Sequence, residues 1–133
     1  EQETNDLSKA VRYAVSQGMH CLNIVGATGR REDHTLGNIS LLADYMDAGL
    51  EVKMWTDYGV FFPATGRRTF ASRAGQQLSI FCLATEPLTL RGVRWPLDRR
   101  SIRRWWEATL NEALADSFET ETAGRIIVFR TYT

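Results

Sequence analysis

The sequence lacks any apolar run long enough to cross a bilayer as a helix, and it has no signal-peptide pattern. It also lacks an excess of charge of either sign, because 16 basic and 16 acidic residues cancel. A chain without net charge has no overall attraction to nucleic acid or to an anionic membrane surface, so neither partner is expected. The 133 residues have the composition of a soluble globular protein, with 44% hydrophobic and 24% charged residues.

Residues that bind structural metals are also scarce. Two cysteines and two histidines are scattered along the chain, which argues against a structural zinc site. Cys21 and Cys82 each lie within an apolar run, so we expect buried, reduced thiols and not a disulfide. Reduced thiols are typical of a cytoplasmic protein.

The most informative stretch is residues 25–38, a Gly-rich turn. An apolar run, residues 21–25, predicts a buried strand before the turn. A helix is predicted after it, because five apolar residues share one helical face: Leu36, Ile39, Leu42, Ala43 and Met46. A turn between a strand and a helix suits an anion, since free backbone N–H groups and the positive end of the helix dipole point at it.

The side chains of this turn support an anion site and add a carboxylate to it. Gly26 and Gly29 allow the backbone to approach a ligand, and Arg30 and Arg31 can bind phosphate oxygens in pairs. Asp33 suggests a metal ion, a hydroxyl to be activated, or a helix N-cap. Neither of the common nucleotide-binding fingerprints, G-x-x-x-x-G-K-[ST] and G-x-G-x-x-G, is present.

The elements around this turn predict an α/β half. Thr4 or Asn5 can cap a first helix, which Gly18 ends, and its apolar stripe comprises Leu7, Ala10, Val11, Ala14 and Val15. Residues 52–55 form a further predicted strand, and residues 58–62 continue in β character. This alternation predicts a parallel sheet with crossover helices, in which ligands bind at the carboxyl ends of the strands. Two strands are too few for a stable sheet, so we expect this half to need further strands or a partner.

After Pro63 the pattern changes to short β runs separated by turn signals. The predicted strands cover residues 68–71, 77–83, 89–93, 118–122 and 125–131, with hairpin loops at residues 74–76 and 123–124. One stretch, residues 101–114, has a weak helical pattern. The predicted fold class is therefore α/β plus all-β, with a partial Rossmann-like parallel α/β domain (residues 1–60) followed by an antiparallel β-sandwich (residues 61–133).

Two features of the second half have several interpretations. Four arginines, Arg99, Arg100, Arg103 and Arg104, precede Trp105 and Trp106. This segment can stack nucleobases, form an exposed arm of stacked arginines and indoles, or bind a flat cationic heterocycle. Asn111 lies in a polar break between β runs, where its amide can contact a ligand or simply belong to a turn.

Three stretches together resemble the thiamine pyrophosphokinase family. The family's first helix carries Gln-x-x-Thr-Asp-x-x-Lys, and its Gly-rich turn ends in Arg-x-Asp-His. The residues that fall on these two motifs are Gln2, Asn5, Asp6 and Lys9, then Gly26, Ala27, Gly29, Arg31, Asp33 and His34, with Asn5 replacing the threonine of the first motif. In the third stretch, residues 92–97 match a Gly-x-x-[Trp/Tyr]-x-Leu strand, and Asn111 falls on a Ser-Asn pair in which Leu110 replaces the serine.

The resemblance implies transfer of the β,γ-pyrophosphate of ATP to the hydroxyl of thiamine, with Mg²⁺, giving AMP and thiamine diphosphate. Asp6 and Asp33 are the implied catalytic carboxylates, and Asp6 is also the implied metal ligand. The implied ATP and phosphate ligands are Lys9, Gly26, Thr28, Gly29, Arg31 and His34. The implied thiamine contacts are Gln2, Trp106 and Asn111. The family's site lies between two subunits, so a homodimer is implied.

The family also has an Asp-rich loop before its first helix, which supplies metal ligands and has no counterpart in these 133 residues. We therefore expect this chain to be the C-terminal part of a longer enzyme, with little or no activity alone. The alternatives are a non-catalytic ligand-binding or dimerisation module and a kinase for another small hydroxylated metabolite.

Overall fold

The computed structural model describes residues 5–133 as one mixed sheet with two α-helices in this part of the chain. The helices are α1 (Asp6–Ser16) and α2 (Glu32–Asp47), and a 3₁₀ helix, η1, spans Trp105–Ala108. The strands are β1 (Cys21–Val25), β2 (Glu51–Trp55), β3 (Gly59–Ala71), β4 (Gln77–Cys82), β5 (Leu88–Arg91), β6 (Leu97–Arg100), β7 (Asn111–Glu112) and β8 (Ser117–Thr131).

The helices and strands of the first half form where the local patterns predict them, but the prediction that residues 21–25 are a buried strand is wrong, since only Ile24 of β1 is buried. Asn5 caps α1, because its Oδ1 accepts the Ser8 N–H at 2.8 Å, and Gly18 follows the helix with a φ of +84°. β1 and β2 pair in parallel, and α2 connects them. β2 then pairs with β3 through Met54–Phe61 and Trp55–Val60, so the sheet continues into the second half without interruption.

The centre of the sheet is the long antiparallel pair of β3 and β8. The path through the sheet is β1-β2-β3-β8-β4-β7, while β5 pairs with β8 and β6. The two hairpin predictions are wrong, since residues 72–76 lead from β3 to β4 on the other side of β8, and residues 123–124 lie inside β8. The predicted strands 118–122 and 125–131 are therefore one strand.

Gly124 belongs to a bulge. The register steps from Ala64–Ile126 to Gly66–Thr122, so residues 123–125 of β8 face Thr65 alone. The Thr65 hydroxyl donates to the Gly124 carbonyl at 2.7 Å and holds this bulge. A glycine in a strand marks a bulge as well as a turn, and here the bulge moves β8 from pairing with β5 to pairing with β4.

Pro63 also lies inside a strand. It is paired with Ile127 of β8, whereas β2 reaches only Val60 and Phe61, so the other edge of β3 is open at the proline. The helical pattern of residues 101–114 produces only η1. The division into residues 1–60 and 61–133 stays a prediction.

Two hydrophobic cores lie on opposite faces of the sheet. One packs α1 and α2 against β1, β2 and Ile127, with Leu42 and Met54 fully buried. The other lies between β3, β4, β5 and β8 and includes Ile126 and Val128. Because successive side chains of a strand point to opposite faces, three consecutive residues of β8 serve both cores.

The prediction that both thiols are buried is right for Cys82 and wrong for Cys21. Cys21 begins β1 and is exposed, since β1 pairs only with β2 in the described part of the sheet. Burial raises the pKa of the Cys82 thiol to about 11, and the nearby Glu107 charge adds to this rise. Among residues 5–133, no helix is both long and apolar enough to span a membrane.

Candidate functional site

The Gly-rich turn lies where β1 ends and α2 begins. Gly26 and Gly29 have φ values of +72° and +85°, which other residues rarely adopt. A Cβ atom at either glycine would meet nothing within 4 Å, so the backbone conformation, and not crowding, calls for glycine. The turn therefore presents open backbone to a ligand at the start of α2.

A chain of hydrogen bonds fixes α1 against this turn. The Asn5 side-chain amide donates to Asn38 Oδ1 at 2.9 Å, and the Asn38 amide donates to the Ala27 carbonyl at 3.0 Å. Asn5 thus caps α1 and ties it to α2, while Asn38 ties α2 to the turn. These contacts place Asp6, the first residue of α1, beside the Gly-rich turn.

Two clefts flank the turn. The α1 cleft, of about 540 Å³, lies between the starts of α1 and α2, and its lining includes Asp6, Gly26, Thr28, Arg30, His34 and Asn38. The β2 cleft, of about 550 Å³, lies between the turn and residues 55–58, and its lining includes Gly29, Trp55, Asp57, Tyr58, Phe61 and Phe129. Gly26, Thr28 and Thr35 line both clefts. Both volumes are within the range of small-ligand sites.

The clefts bring together part of the predicted set of site residues. Asp6, Gly26, Thr28 and His34 line the α1 cleft, and Gly29 lines the β2 cleft. Arg30, which lies outside the family motif but can bind phosphate oxygens, also lines the α1 cleft. Three further predicted residues line neither cleft: Lys9, Arg31 and Asp33. Gln2 lies outside the described residues.

Asp33 and Arg31 pair with each other on the surface of the turn. Arg31 donates to Asp33 from Nε at 3.2 Å and from its terminal nitrogen at 2.6 Å, and Asp33 Oδ1 accepts the His34 N–H at 2.9 Å. The hydrogen bonds from Arg31 lower the pKa of the Asp33 carboxyl, so it is ionised at neutral pH. Asp33 is the second residue of α2, so it is not the N-cap, which is Arg31.

A third pocket, of about 340 Å³, lies at the other end of the second core. This Trp95 pocket is lined by Trp95, Leu97, Arg100, Glu107, Leu110 and Asn111, among others. Asn111 is 6% exposed, and its amide is used within the fold: it donates to the Trp95 carbonyl at 2.8 Å and accepts the Trp95 N–H at 3.1 Å. Its predicted contact with thiamine stays a prediction.

In this region Trp95 lines the pocket, and Trp106, the expected thiamine contact, does not. Trp106 is 69% exposed on η1 and is not part of the lining of the Trp95 pocket. Trp105 packs edge-on against Phe81, with ring centres 6.3 Å apart. Trp95 lines the pocket, and the Arg94 guanidinium lies 5.0 Å from its ring centre. The Gly-x-x-Trp-x-Leu pattern contained the signal for Trp95.

Metal-binding side chains are sparse in the described region. Within residues 5–133, no three His, Cys, Asp or Glu side chains cluster closely enough to hold a metal ion. Asp6 is the one carboxylate of the described chain that lines the α1 cleft. Mg²⁺ is commonly held by one or two carboxylates together with substrate phosphates and water, so a single carboxylate beside an anion site fits that ion.

Comparison with known families matches nearly the whole chain. Residues 1–54 match the family model "Thiamin pyrophosphokinase, catalytic domain", and residues 59–129 match "Thiamin pyrophosphokinase, substrate-binding domain". A search of curated proteins finds no significant match.

Solved structures agree in fold. The thiamin pyrophosphokinase of Geobacillus thermodenitrificans is 27% identical, with a TM-score of 0.82, over 100% of this chain and 64% of that one. The Bacillus subtilis enzyme is 22% identical, with a TM-score of 0.83, over 98% of this chain and 64% of that one. A family protein from Enterococcus faecalis is 22% identical, with a TM-score of 0.85, over 100% and 66% of the two chains. The chain thus spans about two thirds of the length of these relatives.

Proposed function

The chain belongs to the thiamin pyrophosphokinase family, and on this basis we propose that it acts in the transfer of pyrophosphate from ATP to thiamine. The observation that carries the proposal is the α1 cleft, where Asp6, Arg30 and His34 surround a Gly-rich turn at a helix start. This arrangement supports binding of a polyphosphate. A cytoplasmic location agrees with the use of ATP.

The proposed reaction needs positioned substrates and neutralised charge. The thiamine hydroxyl oxygen attacks the β-phosphorus of ATP, the bond from that phosphorus to the α–β bridging oxygen breaks, and AMP leaves with that oxygen. The hydroxyl proton passes to a carboxylate, for which Asp33 and Asp6 are the candidates. Phosphate charge would be neutralised by Arg30 and Lys9, and by Arg31 once it has left its ion pair with Asp33. Mg²⁺, held by Asp6, would neutralise charge on the transferring phosphates when bound.

The acceptor side of the proposal is the Trp95 pocket. Thiamine carries a flat, cationic thiazolium ring, and an exposed indole can hold such a ring by stacking and cation–π attraction. Trp95 is 55% exposed and lines this pocket, and its backbone is held by Asn111. Trp106 and Gln2 remain further candidates for this contact.

A homodimer with a shared site is part of the proposal. The two clefts beside the Gly-rich turn and the Trp95 pocket have no lining residue in common. This separation supports a site in which one subunit holds ATP and its partner holds thiamine. Sedimentation of the purified chain tests the dimer directly, and a monomer at micromolar concentration would contradict it.

The decisive assay is release of AMP from magnesium-ATP with and without thiamine, in the longest expressed version of the protein. We expect AMP release to depend on thiamine and to be absent with thiamine diphosphate, which has no free hydroxyl. Thiamine should also quench tryptophan fluorescence of the 133-residue chain saturably. Quenching without AMP release in the longest version would favour a non-catalytic thiamine-binding module. The absence of both quenching and AMP release would overturn the proposal.

A further inference from the structure

A pocket of about 270 Å³ lies between the two ends of β3. The β3–β8 ribbon curves over the second core, so that Val60, near the start of β3, and Ala71, at its end, both line this pocket. Arg130 of β8 connects the two ends, because it pairs with Val60 and its guanidinium donates to the Ala71 carbonyl. This Arg130 pocket shares only Trp55 with the β2 cleft, and it shares no lining residue with the α1 cleft or the Trp95 pocket.

Two guanidinium groups give the Arg130 pocket a positive charge that the described chain does not neutralise. Arg73 and Arg130 line it without a carboxylate among the other lining residues, and neither forms a salt bridge within residues 5–133. A guanidinium has five N–H donors, and each of these groups uses one of them within the fold. Arg73 donates to the Tyr132 carbonyl at 2.7 Å, and Arg130 donates to that of Ala71. The remaining donors can bind one oxyanion between the two side chains.

The partial burial of Arg130 makes its missing counter-charge significant. Its guanidinium lies 5.5 Å from the centre of the Phe62 ring, and burial lowers its pKa, although an arginine stays protonated at neutral pH. Within the described residues only two arginines are not fully exposed, Arg125 and Arg130. Arg125 pairs with Asp44 and Asp47, whereas Arg130 has no carboxylate partner. A charge removed from water without a counter-charge costs free energy, and an anion in the pocket would reduce that cost.

The remaining wall of the Arg130 pocket includes two aromatic rings that are held in place. The ring planes of Trp55 and Tyr132 are within 9° of parallel, with ring centres 6.2 Å apart. The Trp55 indole N–H donates to Asn23 Oδ1 at 2.9 Å, and the Tyr132 hydroxyl donates to the Thr56 carbonyl. A fixed aromatic surface beside two guanidinium groups favours an anion that is attached to a planar ring.

We propose that the Arg130 pocket binds a phosphate monoester of a planar ring compound. Such a phosphate carries up to two negative charges and three terminal oxygens, which match two guanidinium groups, whereas a carboxylate would neutralise only one of them. The phosphate lies between Arg73 and Arg130, and the ring lies against Trp55 and Tyr132. This inference goes beyond the proposed function and does not depend on it, because the pocket contains no residue of the α1 cleft.

The test is a titration of the ¹⁵N-labelled 133-residue chain with two probes, phenyl phosphate and inorganic phosphate, followed by nuclear magnetic resonance. The backbone amides of residues 72–76 and 130–132 report on the Arg130 pocket, and those of residues 26–30 report separately on the proposed phosphate site. We expect saturable shifts at residues 72–76 and 130–132. Phenyl phosphate should bind about fivefold more tightly than inorganic phosphate, since only the ester has a ring to stack.

Two variants and a matched control assign the binding to the arginines. Arg130→Gln should weaken binding of phenyl phosphate by about tenfold or more, and so should Arg73→Gln, which changes an exposed side chain and keeps the fold. The control is Arg68→Gln. It removes another arginine that lies over a phenylalanine, 5.3 Å from the centre of the Phe70 ring, but outside the pocket, so the Kd should not change.

The absence of saturable shifts at residues 72–76 and 130–132 would overturn the inference, as would unchanged binding in both Arg73→Gln and Arg130→Gln. Equal binding of the two phosphates would overturn the assignment of a planar ring to the ligand. The shifts at residues 26–30 are read independently, so each of these results leaves the proposed function as it stands.

Discussion

Asp33 and Arg31 form an ion pair that water surrounds. Their side chains are 61% and 77% exposed, and an exposed pair of this kind adds little to the free energy of unfolding. The pair lies beside the α1 cleft without lining it. We therefore expect the two residues to act when substrate binds: phosphate would draw Arg31 away from Asp33 and leave the carboxylate available.

The first prediction follows from this exposure. Asp33→Asn should reduce kcat for thiamine-dependent AMP release by about 100-fold or more, because it removes a carboxylate proposed to accept the hydroxyl proton. The melting temperature should hardly change. Both quantities are measured on the longest expressed version of the protein.

Asp44→Asn is the matched control, since it also removes one carboxylate from an exposed ion pair, that with Arg125 at 3.2 Å. It should leave kcat unchanged. A fall in melting temperature without loss of turnover per folded molecule in Asp33→Asn would show that Asp33 has only a structural role.

Thr120 leads to a prediction about stability. Its side chain is completely buried, and its hydroxyl is the one buried side-chain polar atom of the described chain without a hydrogen-bond partner. Thr120→Val keeps the shape and removes this cost, so the free energy of unfolding should rise by about 1 kcal/mol. Urea denaturation measures the change.

Thr122→Val provides the opposite case on the same strand. The Thr122 hydroxyl accepts the Gly124 N–H at 3.1 Å inside the bulge, so its removal should destabilise the protein. Equal effects of the two substitutions would contradict this account of the two hydroxyls.

At the scale of elements, sequence patterns predicted those helices, strands and caps whose formation depends on residues close together in the sequence. The cap at Asn5, the extended conformation of Cys21–Val25 and the crossover helix α2 are confirmed, because capping and hydrophobic periodicity act over a few residues. The predicted burial of that strand is wrong, because burial depends on neighbouring strands. The wrong hairpins came from signals with two meanings. The glycine at residue 124 fits a turn or a bulge, and the distant strand β3 decides between them.

The candidate site shows the same division. Gly26, Gly29 and Asp6 were identified from motifs, and they do meet around one turn. The Asn5–Asn38 contact and the β2 cleft depend on residues more than 30 positions apart. No periodicity or spacing encodes such contacts, so the arrangement of this region could not be predicted from the sequence.

The start of β3 gives a prediction for an element. A Cβ atom added at Gly59 would lie 2.7 Å from Phe129 Cζ and would clash with the Arg130 carbonyl oxygen. Gly59→Ala should therefore destabilise the protein by about 1–3 kcal/mol, since β3 must move away from β8. Thermal unfolding followed by circular dichroism measures it.

Gly37→Ala is the control, because Gly37 lies within α2 and a Cβ atom there would meet nothing within 4 Å. This change should stabilise the helix by about 0.5–1 kcal/mol. Destabilisation by both changes would show that the crowding at Gly59 is not the cause.

At the scale of the whole molecule, β3 and β8 join the two cores. Ile127 belongs to the core under α2, while Ile126 and Val128 belong to the other core. Both cores lose packing contacts when β8 leaves the sheet. We therefore expect a single unfolding transition in spite of the two family domains that the chain contains.

The measurement compares two probes during thermal unfolding. Ellipticity at 222 nm follows α1 and α2, and the tryptophan emission of a Trp55→Phe variant follows Trp95, Trp105 and Trp106 in the second half. Coincident midpoints are expected for two-state behaviour. Loss of the helical signal well before the change in emission would instead support two independent units, divided near residue 60.

The β3–β8 pair also has a consequence for folding during synthesis on the ribosome. Gly59 pairs with Thr131, and every strand of the second core depends on residues 117–131 for its neighbour or its packing. Contacts so far apart in sequence form slowly. During translation most of β3 and β4 therefore lacks its main neighbouring strand until β8 has left the exit tunnel, and chaperones that shield apolar segments are expected to bind in that interval.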